Sequence, residues 1–99
     1  MKVVVLRSAR DDLAAGFAFY EKQQAGLGAY FLDSLFADID SLALYAGIHR
    51  KAFGLYRLIA RTFPFAIYYV VEDNTARVNA VLDCRRDPKW IRRKLKGNT

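Results

Sequence analysis

The side chains best able to do chemistry in this sequence are cationic, and they crowd into one half of it. Residues 47–99 carry 12 basic and 4 acidic side chains, against 4 basic and 6 acidic in residues 1–46, so net charges of +8 and −2 make up the overall +6. Within the basic half, Arg61, Arg85, Arg86, Lys89, Arg92 and Arg93 accompany the single tryptophan, Trp90, and Arg57 stands four residues before Arg61. A guanidinium binds phosphate or carboxylate through paired N–H donors, and an aromatic ring beside it offers a stacking surface. That combination suits either a nucleic acid or an acidic protein, and concentrated positive charge speeds encounter with both. The residues alone do not choose between them.

Other reactive groups are few. The only histidine, His49, lies beside Arg50 and Lys51 and reads as an exposed loop residue more readily than as a base, since the sequence shows it no partner. Cys84 has no second thiol to pair with or to share a metal, so a reducing cytoplasm is expected, with no metal and no cofactor. Met1 to Arg7 is too short an apolar run for a signal peptide or a bilayer span, and no membrane partner is expected. With 99 residues, 54% hydrophobic and 14% aromatic, residues 1–99 are expected to form a single domain with a core of its own.

The elements that must position these groups follow from periodicity. Lys2 to Arg7 is a β-branched run that predicts a first strand. Ser8 precedes Asp11 by three positions, the spacing of a capping box, so a helix is expected to start there. Its apolar stripe runs through Leu13, Phe17, Tyr20 and Gln24, with Asp12, Glu21 and Lys22 outward. Gly26-Leu27-Gly28 breaks it. Phe31, Leu35, Ile39 and Leu42 then predict a second helix to about Tyr45, with Asp33, Asp38 and Asp40 on its far side and Gly47 closing it.

From Phe53 to Arg61 the period changes to two, which predicts a second strand. Phe65 to Val71, nearly all apolar after Pro64, predicts the central strand, and Glu72-Asp73-Asn74-Thr75 a turn. Val78, Ala80, Leu82 and Cys84 share one parity of the last strand. Asp87, ahead of Pro88, either caps a short C-terminal helix or pairs with Arg85 or Arg86. Trp90 reads more readily as fastening that helix to the sheet than as a stacking platform, and Gly97 to Thr99 are expected to fray. The fold class expected is α+β in the order β-α-α-β-β-β, a helical hairpin on a mostly antiparallel four-stranded sheet with a short C-terminal helix. Antiparallel pairing would place Arg61, Phe63, Arg85 and Arg86 as near neighbours at one end of the sheet.

Several ordered stretches resemble the RelE/ParE toxins of bacterial type II toxin–antitoxin systems: Ala9 to Leu13, Tyr20, Gly26-Leu27-Gly28 with Phe31, Tyr56-Arg57, Phe63-Pro64-Phe65 with Ile67-Tyr68-Tyr69, and Val81 with Arg85-Arg86-Asp87-Pro88 and Trp90. The resemblance implies a growth-arresting toxin, held inactive by a ParD-like or RelB-like cognate antitoxin. It also implies one of two targets: DNA gyrase for the ParE-like branch, or messenger RNA cut in the ribosome for the RelE-like branch.

Cutting RNA through its 2′-hydroxyl requires a base, an acid and a cation. Arg57, Arg61, Arg85 and His49 are the candidates for those roles. RelE-like nucleases place a histidine or tyrosine after the last strand, whereas residues 85–99 here contain neither. The reading therefore leans to the ParE-like branch, acting by binding. Arg61, Arg85, Arg86, Lys89, Trp90, Arg92 and Arg93 form its expected target or antitoxin surface.

Overall fold

The computed structural model describes residues 1–97. The chain runs β1 (Lys2–Val5), α1 (Arg7–Gln23), α2 (Leu27–Asp40), α3 (Leu42–Tyr45), β2 (Lys51–Ala52), β3 (Leu55–Ile59), β4 (Phe65–Glu72), β5 (Thr75–Asp83) and α4 (Pro88–Gly97). Gly97 still belongs to α4, and the fraying expected of residues 98 and 99 lies outside the described residues.

The strands form one sheet in the order β1-β5-β4-β3-β2, with β1 parallel to β5 and every other pair antiparallel. The α+β class and the mostly antiparallel sheet are as expected, but the described residues form five strands rather than four. The expected second strand is split: Phe53 and Gly54 both take positive φ, 57° and 84°. They make a two-residue hairpin turn that pairs Lys51 with Tyr56 and Ala52 with Leu55. Positive φ at both central residues matches the right-handed twist of the flanking strands.

Both faces of the sheet are covered. On one, α1 and α2 bury Leu13, Tyr20, Phe31, Leu35 and Ile39 against Phe63, Phe65, Ile67, Tyr69, Val78 and Val81. On the other, Ile91 and Leu95 of α4 lie on Leu55, Ala66, Tyr68, Ala80 and Leu82. This two-sided burial explains the unbroken apolar run of β4, buried from Phe65 to Tyr69. The helices cross closely because Gly28 sits where a Cβ would lie 2.8 Å from the Phe17 carbonyl oxygen.

The single parity expected of the last strand does not hold. Tyr69 pairs with Val78 while Tyr68 pairs with Ala80, so Asn79 is an extra residue in a β-bulge. A bulge shifts the alternation by one. Val78 therefore faces the helical hairpin, while Ala80 and Leu82 face α4.

The start of α1 also differs from expectation. Among the described residues, no side chain caps it. Ser8 instead donates its hydroxyl to the Asn79 carbonyl at 2.7 Å. Glu21, expected outward, accepts the amides of Gly26 and Gly28 and closes the turn between α1 and α2.

Candidate functional site

Ala60 donates its amide to the Phe65 carbonyl and Phe65 pairs with Asp83, so the end of β3, the start of β4 and the end of β5 align in one row. Arg61, Arg85 and Arg86 all leave the sheet at this end, as the antiparallel order requires. Arg86 and Arg61 then line two grooves with no lining residue in common, and Arg85 lines neither of them. Phe63 is buried and packs against the rings of Tyr20, Tyr30 and Phe31.

Arg61 lies on the α2 side. Its amide donates to the Asp38 carboxylate at 3.1 Å, and its side chain borders an open groove of about 520 Å³ with Tyr30, Asp33 and Ser34. Asp38, expected on the outer side of its helix, is only 5% exposed. The reason is this bond, which ties the end of the helical hairpin to the chain leaving β3.

Arg85 turns back on Asp83. Nε and Nη2 donate to its two carboxylate oxygens at 3.0 and 2.7 Å, and the Arg85 amide adds a third bond at 2.9 Å. That guanidinium holds the Asp83 carboxyl below the usual carboxylate range. Arg86 lies flat on Trp90, 3.9 Å from the ring centroid, with Lys94 at 6.0 Å. Trp90 and Arg86 wall a groove of about 260 Å³ with Gly16, Phe19, Asp12 and Asp83. Phe19 is 55% exposed, so the groove presents two aromatic walls with cations at the rim.

Asp12 is the residue of this groove that periodicity misplaced. Strand β1 ends at Val5, leaving the β5 edge beyond Val78 without a strand partner, and α1 covers it. The Asp12 carboxylate accepts the Val81 amide at 3.0 Å. Burial pushes the Asp12 carboxyl above its usual range, opposed by that hydrogen bond and by Lys94 at 4.0 Å.

Asp87 takes the capping role left open by the sequence, accepting the Lys89 amide at 2.8 Å at the start of α4. Within α4 are five cations and no acidic residue: Lys89, Arg92, Arg93, Lys94 and Lys96. Lys89, Arg92 and Arg93 are exposed, and Arg92 stands over the Phe53 ring at 5.5 Å.

The remaining candidates, His49 and Arg57, border a third cavity, of about 580 Å³, with Arg50 and Lys51. His49 is not the isolated loop residue expected. Its Nδ1 hydrogen-bonds to the Tyr69 hydroxyl, which also accepts the Gly47 amide. With Nδ1 engaged by the hydroxyl, Nε2 is the ring nitrogen left for other partners. Burial lowers the His49 pKa and so favours the neutral ring. Arg57 donates through Nε to the Tyr68 hydroxyl at 3.2 Å.

Tyr69 is four residues along β4 from Phe65, so roughly 13 Å of strand separates the His49 cavity from the Arg85 end. The four nuclease candidates do not share one cavity. Among the described residues, no cluster of three or more histidine, cysteine or carboxylate side chains could hold a metal ion, and no helix is long and apolar enough to cross a membrane.

Comparison with solved structures finds a chain of the "Chromosomal ParDE TA system from P. aeruginosa", superposing at a TM-score of 0.75 over 82% of this chain and 92% of that one, with 19% identity. The two chains share a fold. No protein-family model and no curated protein matches the sequence.

Proposed function

We propose that this chain is the toxin of a type II toxin–antitoxin pair, which arrests growth by binding and poisoning DNA gyrase and is neutralised by a cognate antitoxin. The observation that carries the reading is the chemistry of the basic end of the sheet on a fold shared with a ParDE-system chain. Arg86 offers a cation and the exposed Phe19 ring an aromatic face, while the nearby carboxylates are committed to structure: Asp12 to the Val81 amide, Asp83 to Arg85. Such a surface grips a partner without moving protons. The test is to induce the chain alone in bacterial cells carrying a reporter plasmid. Growth arrest with loss of plasmid supercoiling, both prevented by the co-expressed antitoxin, is expected; arrest with normal supercoiling contradicts the gyrase target.

One observation favours the alternative, a ribosome-dependent messenger RNA endonuclease. His49 and Arg57 share a cavity with Arg50 and Lys51, and the neutral imidazole leaves Nε2 for proton transfer. On that reading His49→Gln abolishes cleavage of ribosome-bound message. On the gyrase reading it leaves growth arrest intact.

A further inference from the structure

Phe53 is the wrong residue for its turn. Both central positions of the β2–β3 hairpin have positive φ, a backbone that asparagine and glycine adopt readily and a bulky aromatic avoids. The ring held there is 38% exposed. It forms one wall of a groove of about 310 Å³ whose other lining residues are Leu55, Leu95, Arg92 and Lys96. Leu55 and Leu95 are buried beneath, whereas Arg92 and Lys96 are exposed and stand one helical turn apart on α4. Like charges at that spacing disfavour the helix, so two local preferences are overridden at the same spot.

We propose that this groove binds single-stranded nucleic acid, one base stacking on Phe53 over the leucine floor while Arg92 takes its phosphate. The two halves of a nucleotide match the two halves of the groove: a planar apolar face against ring and leucines, an anion against the cations at the rim. An acidic peptide side chain would satisfy only the second. Paired bases in a duplex cannot reach the ring, so the match is to a single strand. Trp90, on the other flank of α4, already has Arg86 against its face at 3.9 Å; Arg92 stands 5.5 Å from Phe53. This inference does not rest on the gyrase target.

The test is fluorescence anisotropy of a short labelled oligonucleotide with the purified full chain and with Phe53→Asn, Phe53→Tyr and Arg92→Gln. Phe53→Asn is expected to raise or maintain the thermal midpoint, because asparagine suits the turn. It should also weaken single-strand binding by about five- to 150-fold, the range for losing one stacked base. Phe53→Tyr should bind like the parent. Arg92→Gln should flatten the logarithmic salt dependence by about 0.7, as expected for one phosphate contact to a single strand. Equal affinity of parent and Phe53→Asn overturns the proposal, as does tighter binding of the matching duplex. Phe53-dependent displacement by polyglutamate overturns it in favour of an acidic protein partner. If Phe53→Asn lowered the thermal midpoint, Arg92→Gln would decide: unchanged affinity and salt slope overturn the proposal.

Discussion

Asp83 holds Arg85 by both of its carboxylate oxygens, at 3.0 and 2.7 Å, and so neutralises the first of two adjacent arginines. Arg86 is stacked on Trp90 instead, with its charge at the rim of the α1–α4 groove. The two neighbours are therefore expected to behave differently. Arg86→Ala should weaken binding to the target about tenfold or more, the scale of one charge-assisted hydrogen bond. Arg85→Ala should weaken it less. Titration of purified gyrase with each variant checks the order, and equal losses contradict it.

Arg85→Ala should also change the acid limb of stability. The Asp83 carboxyl is depressed in the folded protein, first by the Arg85 hydrogen bond. Its contribution is present above the ordinary value of 3.8 and is lost as pH falls through the lower folded pKa. Removing the guanidinium should bring the folded pKa back toward that value. Carboxyl resonances followed by NMR would show it, and an unmoved Asp83 titration contradicts the account.

The Asp12–Val81 bond predicts a split between two substitutions. Asp12→Ala leaves a buried amide without an acceptor and should cost about 1–3 kcal/mol. Asp12→Asn keeps an acceptor oxygen and should cost less at neutral pH, because burial raises the Asp12 pKa and favours the neutral form. A group with a raised folded pKa contributes fully below its ordinary value and loses that contribution as pH rises through the folded pKa. Acidification should therefore shift the comparison toward the parent over Asp12→Asn. Urea unfolding at two pH values tests both statements.

His49 should titrate below 6.5, since burial lowers its pKa. The unfolded chain then takes up the proton first, so the stability linked to this group is whole above 6.5 and declines as pH drops through that value toward the folded pKa. An imidazole titrating at or above 6.5 by NMR contradicts the burial of its ring.

Gly28→Ala sets two effects in opposition. Alanine favours a helix by about 1 kcal/mol over glycine. The added Cβ, however, would meet the Phe17 carbonyl oxygen at 2.8 Å, and overpacking typically costs about 1–3 kcal/mol. The thermal midpoint is expected to fall; a rise would show that the helices can move apart.

The parts of the fold legible in the sequence are those set by local pattern. The apolar run from Phe65 is the buried central strand, and the stripe through Phe31, Leu35, Ile39 and Leu42 is the inner face of the second helical segment. Both Gly26 and Gly47 occupy left-handed turns. Contacts between distant residues were not legible. Asp12 reads as an outward residue until Val81, 69 positions away, is brought to it, and His49 reads as solitary until Tyr69 is. Nothing local marks Asn79 as a bulge, and Phe53 disguises a turn because its residue type argues for strand. The alignment of Arg61, Arg85 and Arg86 at one end of the sheet followed from antiparallel order. The separation of Arg61 from Arg86 into two grooves depends on where α1, α2 and α4 lie, which periodicity does not fix.

The most direct test of gyrase poisoning is a cleavage assay with purified gyrase, supercoiled plasmid and the chain freed of antitoxin. Linear plasmid with gyrase covalently attached is expected, accumulating with added chain and reduced by Arg86→Ala. Undiminished supercoiling and no linear product, from a preparation that arrests growth when induced, would contradict it.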